Sequence, residues 1–261
     1  MWALNNFINL VQNENMKIYR RIRTWIMFGI IVLMVLFFAI LFRLGGGGST
    51  ISAWDATGQL SFLYYLVTIF ASVVAADIVA GEFTWGTIKL LLIRPWTRTK
   101  VLASKLLALI LFTLLITVLF FLSSMLISYA MYPVKTSMMF SDNASPFAYL
   151  LEDMLYRYID LLVITLFSFM ISTVFRSSGI AIGLSMFILF TGGIFTMLFN
   201  PVRYPWAKYT LFVNMDLSQY RGGQEGVAGM TLGFSITMLT SYVLLFLVIS
   251  WLVFNKRDVA A

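Results

Sequence analysis

From Trp25 to Phe42 the chain runs without one charged side chain, and five further stretches are nearly as bare. A soluble core does not need apolar runs of that length. An α-helix rises about 1.5 Å per residue, so about 20 residues match the roughly 30 Å hydrocarbon layer of a bilayer. A helix also satisfies its own backbone hydrogen bonds, which lipid cannot do for it. The spans read from the sequence are about 25–43, 60–80, 101–132, 153–175, 178–199 and 231–254. Composition agrees: 61% of residues are hydrophobic and 11% charged, against about 45–50% and about 25% in soluble domains. The fold class expected is all-α integral membrane, with six transmembrane helices in one domain over 1–261.

Sidedness follows from the cations. With the N-terminus inside, the inner segments hold 12 of the 18 Lys and Arg residues, among them Lys17, Arg20, Arg21, Arg23, Lys105 and Arg176. The other six, Arg43, Lys135, Arg157, Arg203, Lys208 and Arg221, fall on outer segments. A two-to-one bias predicts both termini on the cytoplasmic side of the membrane. Residues 1–24 read as an amphipathic helix on the inner interface. Leu4, Phe7, Ile8 and Val11 share one face, and Asn5, Asn6, Asn9, Gln12 and Asn13 share the other. An ordinary N-terminal cap is the plainer alternative.

The chain has no cysteine and no histidine. Disulfides and thiolate chemistry are excluded, and so are the commonest general base and metal ligand. No metal site is expected, because scattered Met in apolar helices is packing material. No GxxxxGK[ST] occurs, so no P-loop cradles a nucleotide here. Gly45 to Ser49 has a flexible-linker composition and reads as a loop between like-patterned spans. Residues 200–230 are long for a connection, and YPWAKYTLFVNM within them is too apolar for water. A re-entrant or interfacial segment before the sixth span would bury it, with a flexible return through QYRGGQEGVAG.

Few polar residues fall within the spans. Arg157 and Asp160, three apart on one helix face, either pair at the outer interface or line a cavity open to that side. Asp77 sits at the inner end of span two, where pairing with Lys or Arg is the default. Glu152 and Asp153 suit a helix start. Gly179 and Gly183, with Gly192 and Gly193 further along, permit close helix approach. Packing within the chain is the default there, and a dimer seam is the sharper reading.

The segment 81–100, GEFTWGTIKLLLIRPWTRTK, is the least like an ordinary loop. Gly81 can end span two as a helix C-cap. Glu82 to Leu92 can form a short helix with Glu82 at its favoured N-terminal end. Leu90 to Ile93 give it an apolar edge, Pro95 breaks it, and Arg94, Arg98 and Lys100 offer charge to phosphate headgroups or to an acidic protein surface.

The longer stretch AADIVAGEFTWGTIKLLLIRPWTRTKVLASKLLA resembles the signature region of type-2 ABC exporter permeases. Glu82, Gly86, Thr87, Leu90, Leu91, Arg94, Pro95, Arg98 and Lys105 stand at matching positions, and the six-span layout is also similar. The resemblance implies that residues 82–98 form a cytoplasmic coupling helix between spans two and three. On it Glu82, Phe83, Trp85, Gly86, Thr87, Lys89, Leu90, Arg94, Pro95 and Arg98 would seat in a separate ABC ATPase subunit. ATP and Mg would be bound by that partner, with no cofactor on this chain. A second permease subunit would complete the pathway, and an amphipathic peptide, drug or lipid would be exported, as in antimicrobial-peptide resistance. The alternative is a non-transporting immunity or assembly factor with the same fold. An intramembrane enzyme is a third reading, for which no polar cluster converges.

Overall fold

The computed structural model describes residues 2–47, 51–87, 96–135, 145–175 and 177–256. Among them every regular element is helical. In chain order they are α1 (Trp2–Tyr19), α2 (Ile22–Phe42), α3 (Ala53–Leu60), α4 (Tyr64–Thr84), α5 (Arg98–Met131), α6 (Pro146–Val174), α7 (Ser178–Leu198), α8 (Leu211–Met215) and α9 (Leu232–Lys256). Among the described residues six segments are long and apolar enough to cross a membrane: Ile22–Gly45, Ala53–Thr84, Arg98–Met131, Pro146–Val174, Ser178–Leu198 and Leu232–Lys256. The second joins α3 to α4 through a 3-10 turn at Ser61–Leu63.

Caps set several boundaries. Thr97 Oγ1 accepts from the Lys100 amide at 3.4 Å and opens α5. Ser145 Oγ accepts from the Ala148 amide at 3.2 Å, with Pro146 in the first turn, and opens α6. The fourth span thus starts two turns before the expected Asp153. Glu152 and Asp153 are not at a helix start after all, and they pair with arginines instead.

Two apolar cores form, and α4 belongs to both. One joins α4 to α2, α3, α5 and the underside of α1, with Leu161 and Phe169 of α6 and Phe254 of α9; the other joins it to α6, α7, α8 and α9. Ala71, Ala75, Ala76 and Ala80 of α4 are fully buried. Small side chains let α6 come close enough for Ser172 Oγ to accept from the amides of Val79 and Ala80, at 3.2 and 2.9 Å. In the first core Phe112 of α5 lies between Tyr19 and Phe28, with ring centroids 6.2 and 6.1 Å away.

The two ends of the bundle are tied differently. At one end Arg98 Nη1 donates to the Asn255 carbonyl at 3.0 Å, placing a cation on the C-terminus of α9. At the other, Tyr132 Oη donates to the Ala39 carbonyl at 2.6 Å and the Ala53 amide donates to the Pro133 carbonyl at 3.0 Å.

Helix α7 is the least covered span: 11% of its apolar window is buried, against 61% for Ala53–Thr84. This overturns packing within the chain for three of its glycines. A side chain added at Gly183 or Gly193 would meet nothing within 4 Å, and one at Gly179 would meet only Ser177 Oγ at 3.9 Å. Gly179 and Gly183 are exposed, and Gly193 borders the open space between α7 and its neighbours. Gly192 alone is a close approach, where a Cβ would lie 2.9 Å from the Phe212 ring.

Residues 200–230 fold into short turns around α8, not a flexible return. Asn214, fully buried, donates to the carbonyls of Lys208 and Thr210, both at 2.7 Å. Its Oδ1 accepts from Ser235 Oγ of α9 at 2.8 Å, and Tyr220 Oη lies 2.6 Å from the same hydroxyl. The glycines at 222, 223 and 229 take φ of +71°, +76° and +70°, which is why the segment uses them.

Candidate functional site

Helix α1 presents Leu10, Glu14 and Ile18 to the bundle, at exposures of 5%, 2% and 6%. They are spaced by four and so lie on one face. This stripe is distinct from the apolar face expected at the membrane interface, of which Ile8 is 48% exposed, and its middle residue is a carboxylate. Glu14 is tolerated there because two lysines meet it. Lys17 Nζ lies 2.6 Å from Oε1, and Lys105 Nζ lies 2.8 Å from Oε2.

Both lysines also reach Glu82 Oε1, Lys17 at 2.8 Å and Lys105 at 2.7 Å. Two acids and two bases therefore close a ring whose formal charges cancel. It joins α1, the end of α4 and the first turns of α5. Lys105 is wholly buried, and its ammonium also donates to the Ile78 carbonyl at 3.2 Å. Lys105, counted from the sequence among the inner-side cations, is buried beneath α1.

Glu82 is equally displaced from its expected role. Helix α4 does not end at Gly81. It continues to Thr84 and turns at Gly86, whose φ of +67° suits glycine. Glu82 is thus in the last turn of α4, the unfavourable end of the dipole for an acid. The two ammonium groups offset that. Gly81 has its own reason to lack a side chain: a Cβ would stand 2.7 Å from Asp77 Oδ1. The space is taken by the Asp77 carboxylate, which accepts from both Arg21 and Arg23 at the start of α2.

Around this ring lies a cleft of about 890 Å³, lined by Lys17, Arg21, Asp77, Glu82, Trp85 and Trp96 among others. Phe83 packs against the first core, while Trp85 is 77% exposed. Thr87 Oγ1 donates weakly to the Glu82 carbonyl at 3.4 Å. Arg98 is drawn away to α9. Lys89, Leu90, Arg94 and Pro95 lie outside the described residues, as does Arg176. Glu14 is the member of the ring that the sequence reading does not single out. Its signal was its position midway between Leu10 and Ile18, an acid where the stripe required an apolar residue.

The charge pattern gives the docking of α1 a pH window. Burial pushes the Glu14 carboxyl up, but Lys105 and Lys17 outweigh it and hold the group below its ordinary value of 4.5. Burial pulls Lys17 down, and Glu82 and Glu14 overcome it and raise the group above 10.5. A depressed acid stabilises above its unfolded value and stops doing so as pH falls through the folded one. A raised base stabilises below its unfolded value and stops as pH rises through the folded one. Docking of α1 should therefore be constant across neutral pH and loosen below about 4.5 and above about 10.5. The chain has no cysteine, so a fluorophore on Gln12→Cys reports only α1. Release near pH 7 would contradict this assignment.

A second cavity, of about 540 Å³, lies between α4, α6, α7 and α8. Arg157 and Asp160 both line it. They do not form the expected pair. Arg157 Nε donates to Asp153 at 2.7 Å. Asp153 also accepts from Arg221 Nη2 at 3.0 Å, and the Arg221 guanidinium sits 3.9 Å above the Tyr149 ring.

A family model described as "Protein of unknown function (DUF2705)" matches residues 24–260. Two proteins of Bacillus subtilis (strain 168) are similar over most of their lengths. "Uncharacterized protein YhcI" is 31% identical, with 97% of this chain and 99% of that protein covered. "Uncharacterized membrane protein YdbK" is 30% identical, with 78% and 80% covered. With six helices of spanning length and a relative described as a membrane protein, the chain is a multi-pass membrane protein. It belongs to the family described as protein of unknown function, DUF2705.

Proposed function

We propose that this chain is the permease subunit of an ATP-driven ABC exporter in the bacterial cell membrane, with both termini cytoplasmic. In this reading α1 lies along the inner interface, the segment that links the end of α4 at Thr84 to the start of α5 at Arg98 is the coupling element, and residues 200–230 dip into the outer interface. A separate cytoplasmic ATPase holds ATP and Mg, so this chain carries no hydrolytic chemistry. A second permease subunit completes the pathway.

The observation that carries the reading is the double anchoring of Glu82 by Lys17 and Lys105. Residues 83–97 follow directly from a carboxylate tied to both α1 and α5. A displacement of that segment therefore reaches the N-terminal helix and a 34-residue helix, about 51 Å long, in one step. Such wiring suits a segment that is pushed from outside the membrane. The exposed Trp85 supplies a grip beside it.

The test is site-specific crosslinking in native membranes, with a benzophenone amino acid in place of Trp85. An ATP-hydrolysing subunit is the expected product. The same group in place of Leu44, 80% exposed at the opposite end, should not capture it. Products at Trp85 that contain only lipid, or only proteins without a nucleotide site, would favour the immunity or assembly role and end the exporter reading.

A further inference from the structure

We propose that the cavity between α4, α6, α7 and α8 binds a lipophilic organic monocation, its charge against Asp160 and its apolar body against the aromatic wall. As a ligand this stands on the cavity alone; as the exported cargo it rests on the exporter reading.

Asp160 is the reason for a cation. Its Oδ1 is buried and finds no hydrogen-bond donor among the described residues. A buried polar oxygen without a partner is costly, and native structures rarely leave one so. The nearest cation along the helix, Arg157, is turned to Asp153, which Arg221 also holds. Asp216, the other acid in the wall, accepts locally from the amide and hydroxyl of Ser218, at 3.2 and 2.5 Å. The charged groups lining the space are Asp160, Asp216 and Arg157. Counted formally they sum to one negative charge, and a bound cation favours the ionised form of Asp160.

The walls decide the body of the ligand. Phe62, Tyr64, Tyr65, Tyr156 and Phe212 surround the space, and aromatic faces attract a cation while covering apolar surface. The volume of about 540 Å³ lies within the roughly 300–1,000 Å³ of small-molecule sites. It is far larger than a metal ion, and no group of three or more metal-ligating His, Cys, Asp or Glu side chains occurs among the described residues. An anion would face two carboxylates. Gly193 keeps part of the wall open, because a side chain there would meet nothing within 4 Å.

Tetraphenylphosphonium is a suitable probe, measured by equilibrium dialysis against the full chain in lipid nanodiscs without any ATPase. Saturable binding to a single class of sites is expected. Asp160→Asn keeps the shape of the side chain and should weaken binding about tenfold or more. Gly193→Leu leaves the carboxylate in place and should also weaken binding by filling the space. Neutral triphenylphosphine oxide should bind about tenfold more weakly than the cation. The proposal fails if uptake does not saturate, if Asp160→Asn binds like the parent, or if the neutral compound binds equally well. Since no ATPase takes part, such a failure would leave the crosslinking result at Trp85 unaffected, and the converse also holds.

Discussion

Lys105→Met should destabilise the folded chain by about 3–5 kcal/mol, the usual consequence of removing one partner from a buried ion pair. The lysine is wholly buried and touches both Glu14 and Glu82. Its loss leaves one uncompensated negative charge in the ring, where water cannot solvate it well. Lys17→Met should cost far less, about 1 kcal/mol or below, because that side chain is 39% exposed and its partners keep Lys105. The double variant Lys105→Met with Glu14→Leu restores neutrality. It should therefore be more stable than Lys105→Met alone. Thermal unfolding in one detergent, followed by tryptophan fluorescence, ranks the three. If Lys105→Met melts with the parent, the ring is not the fastening described here.

The second large effect is expected at Asn214. Its amide satisfies the carbonyls of Lys208 and Thr210 and the hydroxyl of Ser235. Asn214→Ala leaves the part-buried carbonyls of Lys208 and Thr210 without its amide, and leaves the Ser235 hydroxyl with Tyr220 Oη alone. At about 1–3 kcal/mol for each of the two carbonyls, a total of about 2–4 kcal/mol is expected. Ser235→Ala removes one link and keeps the two carbonyl bonds, so about 1 kcal/mol is expected. Trypsin provides the local readout. Cleavage after Lys208 should accelerate strongly in Asn214→Ala and little in Ser235→Ala. Equal cleavage rates in parent and Asn214→Ala would refute the assignment.

How much of this was legible beforehand depended on the range of the forces involved. The six spans were visible because apolar length is a local property: Trp25 to Phe42 needs no partner to be read as membrane-spanning. Caps moved their edges. Ser145 and Pro146 start α6 well before Asp153, although both are ordinary helix-start residues that could have been recognised. The pairings were not legible. Arg157 has acids at three and at four residues' distance, Asp160 and Asp153, and only the presence of Arg221 shows which one it takes. Glu82 looked like the start of a helix because Gly81 looked like the end of one. Asp77 explains that glycine, and its relation to Gly81 emerges only once a helix turn stacks them. Lys105 could be counted only as an inner-side cation, because nothing local announces an acid from α1. Within 82–98, Phe83, Trp85, Gly86 and Thr87 can be placed around the ring, and the sequence pattern alone speaks for Lys89 to Pro95.

Helix α4 has one further implication. It furnishes a wall to both apolar cores. Neither half of the bundle can melt while the other keeps its packing, since each would take the shared wall with it. Local opening requires an element that serves only one side. A defect in either core should therefore loosen the wall of the other, so the two halves are expected to melt together.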